Sequence, residues 1–142
     1  MKKSAILTIT GRQSYEGQDP DLIELTTEGS LEQKNDAWIL AYEETELTGL
    51  EGTKTIIRVE DGKVALGRTG ALHSHMVFQE GVTHDSLYRI PEGALMISVC
   101  AEEIQWELSP SGGRVFLRYS IVVEDAAKGM VEFEIQAKTK EE

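Results

Sequence analysis

The sequence predicts an all-β fold, a single antiparallel meander closed into a β-barrel of about eight to ten strands. Three observations carry this. Apolar and polar residues alternate with period two, the alternation returns roughly every ten residues between turn signals, and helical periodicity is scarce. A sheet of that size either curls or splits into a sandwich, and closure removes its exposed edges.

The strands follow in order. Residues 4–14 set Ala5, Leu7 and Ile9 on one face and Ile6, Thr8, Thr10 and Arg12 on the other, and Gly17-Gln18-Asp19-Pro20 ends the run. In 21–34, Ile23, Leu25, Thr27 and Leu31 share a face, and Gly29 marks an expected bulge or sharp bend. Asn35-Asp36 reads as a tight turn into 37–46, where Trp38, Leu40, Tyr42 and Glu44 line one side. After the loop at 48–52, two β runs, 54–60 and 63–69, are joined by Asp61-Gly62, which favours a type I′ hairpin. Two-residue closure pairs Glu60 with Lys63, Val59 with Val64, Ile57 with Leu66 and Thr55 with Arg68. Arg68 is thereby carried onto the apolar face.

Residues 72–80 place Leu72, Ser74, Met76 and Phe78 opposite His73, His75, Val77 and Gln79. A looser stretch through Tyr88 leads to the turn Pro91-Glu92-Gly93. Residues 94–101 are apolar on both faces, which predicts a well-buried strand. Residues 102–109 continue with Ile104, Trp106 and Leu108, a short helix near Glu102 being the alternative. Past Pro110-Ser111-Gly112-Gly113, the run 114–125 aligns Val115, Leu117, Tyr119, Ile121 and Val123 against Arg114, Phe116, Arg118 and Ser120. A turn at 126–129 leads to 130–138, with Val131, Phe133, Ile135 and Ala137 inward.

A chain of 142 residues suits one domain, 1–142, burying about two-thirds of its unfolded surface. With 14 basic against 25 acidic residues the net charge is −11, and the basic residues are dispersed, which argues against nucleic acid and anionic membranes as partners. Cys100 is the sole cysteine, so no intrachain disulfide forms, and no apolar run suits a signal segment or a membrane span. A cytoplasmic location is expected.

The sharpest motif is Gly67, five residues, His73-Ser74-His75, four residues and Glu80, which resembles the first signature of the cupin metal barrels. Histidines at i and i+2 point the same way, and Glu80 could complete a divalent-metal site. Three departures weaken it. Leu87 replaces the closing glycine; Pro91-Glu92-Gly93 is followed by Ala94-Leu95-Met96 without a histidine; and the histidines lie opposite the core face of Met76 and Phe78. Outward-facing histidines are the better reading, with metal at His73, His75 and Glu80 as the lesser alternative and no cofactor expected.

An enzyme is the less favoured class. Cys100 sits in an apolar run without a basic partner, and no Gly-x-Ser-x-Gly, phosphate-loop or dinucleotide pattern is present. More informative are the charges on apolar faces. Arg68 and Glu44 both fall at strand ends, which line a barrel's mouth, so they are expected to meet there with Tyr42, Tyr88 or Tyr119. The plainer alternative is a structural ion pair plugging a filled barrel. If the site binds a ligand, Arg68→Met is expected to abolish binding and leave folding intact. Trp38, Tyr42, Phe78, Trp106, Tyr119 and Phe133 stand at strand spacing and read first as core.

Tyr42-Glu43-Glu44, the segment from Thr53 to Gly70 with Arg68-Thr69-Gly70, Phe78-x-Glu80-Gly81, Tyr88-x-Ile90-Pro91-x-Gly93 and Leu117-Arg118-Tyr119 together resemble the YwiB-like family of small bacterial proteins of unknown function. The resemblance covers nearly the whole chain and rests on order and spacing. It implies a calycin-like β-barrel related in shape to lipocalins and fatty-acid-binding proteins, and it supplies no catalytic residues. The leading expectation is a binding module for a small, apolar or amphipathic ligand, with Arg68 addressing an anionic end. A filled barrel acting as an interaction module predicts instead an exposed apolar face around Phe116 and Val122, where a homodimer could form.

Overall fold

The computed structural model describes residues 2–15, 21–44, 51–70, 73–90, 92–124 and 128–140, with the side chains of residues 15, 88 and 90 excepted. The turns expected at 17–20, 91 and 126–127, most of the 48–52 loop and Leu72 lie outside them.

Ten antiparallel strands form one sheet: β1 (Lys2–Tyr15), β2 (Asp21–Lys34), β3 (Ala37–Glu43), β4 (Thr53–Glu60), β5 (Lys63–Gly70), β6 (Ser74–Phe78), β7 (Thr83–Ile90), β8 (Gly93–Ser109), β9 (Gly112–Val123) and β10 (Gly129–Thr139). Their order, β6-β5-β4-β3-β2-β1-β10-β9-β8-β7, is a pure meander in which β1 pairs with β10 and the sheet curls into a nearly closed barrel. Between the edge strands β6 and β7 the backbone bridges are His73↔Arg89 and Gln79↔Val82, and no continuous ladder joins them among the described residues.

The inner faces are those the alternation selects. Leu7, Leu40, Ile57, Phe78, Leu117 and Ile135 are fully enclosed, each such side chain contributing roughly 1.5–3 kcal/mol of transfer free energy. At Gly29 an added Cβ would lie 2.3 Å from the Ala41 carbonyl oxygen and 2.6 Å from Leu7 Cδ1. The bulge expected there does not occur, since the β1–β2 register runs through Gly29 unbroken; what the glycine permits is a close approach of strands.

Several expectations are corrected. The Asp61-Gly62 hairpin keeps the expected register, Glu60↔Lys63 through Thr55↔Arg68. Its turn is not type I′, because Gly62 has a φ of 77° and Asp61 is not positive. The paired left-handed residues that a type I′ turn needs occur at Asn35 and Asp36, with φ of 49° and 66°. Residues 83–90, read as loose, form β7. Residues 94–101 are not buried on both faces: Ile97, Val99 and Ala101 point inward, while Met96 is 44% exposed.

The helix alternative near Glu102 is replaced by a β-bulge between Ala101 and Glu103, inside one 17-residue strand. The bulge shifts the inward set from odd positions (97, 99, 101) to even ones (104, 106, 108). Its displaced backbone groups are satisfied by the β6–β7 turn: Glu80 Oε2 accepts from Ile104 N–H at 2.8 Å, and Gly81 N–H donates to Ala101 O at 2.9 Å.

Candidate functional site

Inside the barrel lies a cavity of about 260 Å³, toward the end where β1 joins β2, β3 joins β4 and β5 joins β6. Its wall is two-sided. Ile9, Met76, Ile97, Ile121, Val131 and Phe133 supply an apolar surface, and Tyr42, Glu44, Arg68 and Tyr119 a polar one. Arg12, Gln13, Asp21 and Ile23 form the rim.

The polar wall follows from register. The β4–β5 hairpin sets Arg68 directly across from Thr55, and β3–β4 pairing sets Thr55 beside Tyr42. Glu44 follows β3 and is fixed by its own N–H, which donates to Thr53 O at 2.8 Å. Thr55 is the bridge: its Oγ1 donates to Glu44 Oε2 at 2.7 Å and accepts from Arg68 Nε at 3.4 Å. Arg68 Nε stands 3.9 Å from Glu44 Oε2. This holds a part-buried arginine beside a buried carboxylate, each ion offsetting the desolvation of the other.

Only 2% of the Glu44 side chain and 18% of the Arg68 side chain are exposed. The two were expected at the mouth; they sit on the inner wall, and the exposed charges at the rim are Arg12 and Asp21. Among the described residues Nε is the only Arg68 nitrogen that engages a partner, and the terminal guanidinium nitrogens make no hydrogen bond there. The Tyr42 phenol is pushed up to about 12, by burial first and by the Glu44 charge second, so its hydroxyl stays protonated. Tyr119 is buried with its ring 4.5 Å from that of Phe78, at 46°. The backbone of Tyr88 lies in β7, and its side chain is outside the described residues.

The histidine pair does not join this site. His73, His75 and Glu80 are exposed, and Glu80 already holds the β8 bulge. Among the described residues no three His, Cys, Asp or Glu side chains cluster as a metal site would. Cys100 is half-buried opposite Ser120. Phe116 and Val122 are half-buried too, and the exposed large apolar residues include Leu22, Val82, Leu87 and Met96, of which Leu87 and Met96 pair across β7 and β8.

Two contributors escaped sequence reasoning. Thr55 could have been found, because the hairpin register carries a polar residue inward beside Arg68. Gly11 could have been flagged as a glycine inside a strand, facing the interior.

Residues 7–135 match the sequence family described as a domain of unknown function, DUF1934. The chain belongs to this family. One relative, the uncharacterized beta-barrel protein YwiB of Bacillus subtilis (strain 168), is 28% identical over 127 residues, covering 88% of this chain and 87% of that protein. The crystal structure of the ywiB protein from Bacillus subtilis matches with a TM-score of 0.89 at 24% identity, over 99% of this chain and 94% of that one. The β-barrel fold is thus shared with that structure.

Proposed function

We propose that this barrel is a non-enzymatic, cytoplasmic binding module for a small amphipathic carboxylate, whose anionic end meets Arg68 and whose apolar body fills the cavity. One observation carries the reading. A two-sided cavity of about 260 Å³ has, on its polar wall, an arginine whose terminal nitrogens are unpaired among the described residues. Guanidinium nitrogens presented in a fork match a carboxylate, and a mostly apolar pocket with few polar groups is the usual form of a small-molecule site. The calycin-like barrel that the family resemblance implies is in keeping with such a role by analogy alone.

The cavity equals the liquid volume of roughly nine water molecules, which suits a ligand of about ten non-hydrogen atoms, such as octanoate. At roughly 0.5 kcal/mol per atom, its dissociation constant would be on the order of 0.1–1 mM. Arg68→Met alone is a poor test, because it strands the Glu44 carboxylate in a buried position and destabilises the fold by about 3 kcal/mol. The variant of choice is Glu44→Gln/Arg68→Met, in which the amide oxygen introduced at position 44 still accepts from Thr55. Calorimetric titration with octanoate should show binding by the wild type, severalfold tighter binding by Glu44→Gln, and none by the double variant. Equal affinity in the wild type and the double variant would exclude Arg68 as the anion partner.

A further inference from the structure

Glycine inside a β-strand is destabilising relative to alanine and ordinarily has a structural cause. Gly11 has none of the usual ones. Its φ is not positive. The register runs unbroken through Gly11↔Ile23 on one side and Gly11↔Phe133 on the other, so there is no bulge. A Cβ placed on Gly11 would meet nothing within 4 Å, whereas at Gly29 it would strike the Ala41 carbonyl oxygen at 2.3 Å.

What Gly11 does supply is space. It continues the inward face of Leu7 and Ile9 and lines the cavity where that face would otherwise carry another apolar side chain. We infer that Gly11 is a specificity-determining position: it sets how long a carboxylate the barrel accepts, the apolar body lying along β1 with its carboxylate at Arg68. This rests on the carboxylate reading above and narrows it to a monoanion. With Glu44 beside Arg68 the inner wall is neutral before binding, so a monocarboxylate adds one negative charge there, whereas a dianion such as a phosphate monoester would add two.

The experiment is a titration of straight-chain carboxylates, butanoate to dodecanoate, into the full chain as wild type, Gly11→Ala and Gly11→Leu, with melting curves recorded without acid. The wild type should prefer octanoate. Gly11→Leu adds four carbons to the wall, so its preference should move about three to four carbons shorter and its octanoate affinity should fall at least tenfold. Both variants should melt at or above the wild-type temperature, since the added carbons enter open space. Octanoate binding unchanged in Gly11→Leu overturns this inference alone, as does a lower melting temperature for Gly11→Ala. If the wild type binds none of the acids, the carboxylate reading falls and the inference falls with it.

Discussion

Tyr42 shows how strongly the polar wall constrains its members. It is 4% exposed, and burial together with the Glu44 charge raises its pKa from 10.0 to about 12, against smaller opposing effects of Arg68 and Thr55. Between those values the unfolded chain loses the phenolic proton and the folded protein keeps it. Stability from this group is therefore intact below about pH 10 and falls as pH rises through about 12, by at most about 3 kcal/mol. Urea unfolding between pH 8 and 11.5 should show a steeper alkaline loss in the wild type than in Tyr42→Phe; parallel slopes would mean that Tyr42 titrates normally. Much of this wall was legible in the sequence, because strand parity puts Glu44 with Tyr42 and the Asp61-Gly62 hairpin turns Arg68 inward. The cavity itself was not. It arises where a side chain is missing, at Gly11, and alternation records the residues present on a face without measuring the room between them.

At the scale of the element, β8 is the instructive strand. Its inward residues change from odd to even numbering at Glu102; the sequence, read as apolar on both faces over 94–101, showed neither that phase change nor its cause. The partner of the bulge, Glu80, lies more than 20 residues upstream, beyond the reach of local pattern. Glu80→Ala removes the acceptor for the Ile104 N–H and should cost about 1–2 kcal/mol in thermal or urea unfolding; Glu80→Gln, which keeps an acceptor, should cost less than half of that. A loss below about 0.3 kcal/mol for Glu80→Ala would show that the bulge needs no side-chain support. The strand missed in the sequence, β7, explains itself in the same way. Among its described side chains the half-buried ones are His84 and Ser86, while the apolar Leu87 faces out, which breaks the apolar alternation that marks the other strands. These polar inward positions belong to a strand at the seam, with a continuous ladder among the described residues only on its β8 side.

For the whole molecule, strength is distributed unevenly around the ring. The middle of the sheet is built by β1 and β10, which pair at 11 positions, while β6 and β7 are held by bridges near their ends. Amide hydrogen exchange should therefore be at least tenfold faster in Ser74–Phe78 than in β1, β9 and β10, opening locally without global unfolding. Uniform protection around the barrel would mean that the seam is as stable as the ladders. The β1–β10 ladder also bears on synthesis. The partner of Ile9 is Ile135, so on the ribosome β1 must wait for more than a hundred residues to be translated, a delay of several seconds to tens of seconds at roughly 5–20 residues per second. Throughout that interval one edge of β1 offers unpaired backbone beside Leu7 and Ile9. A nascent chain in that state is a natural client for chaperones and a target for premature aggregation.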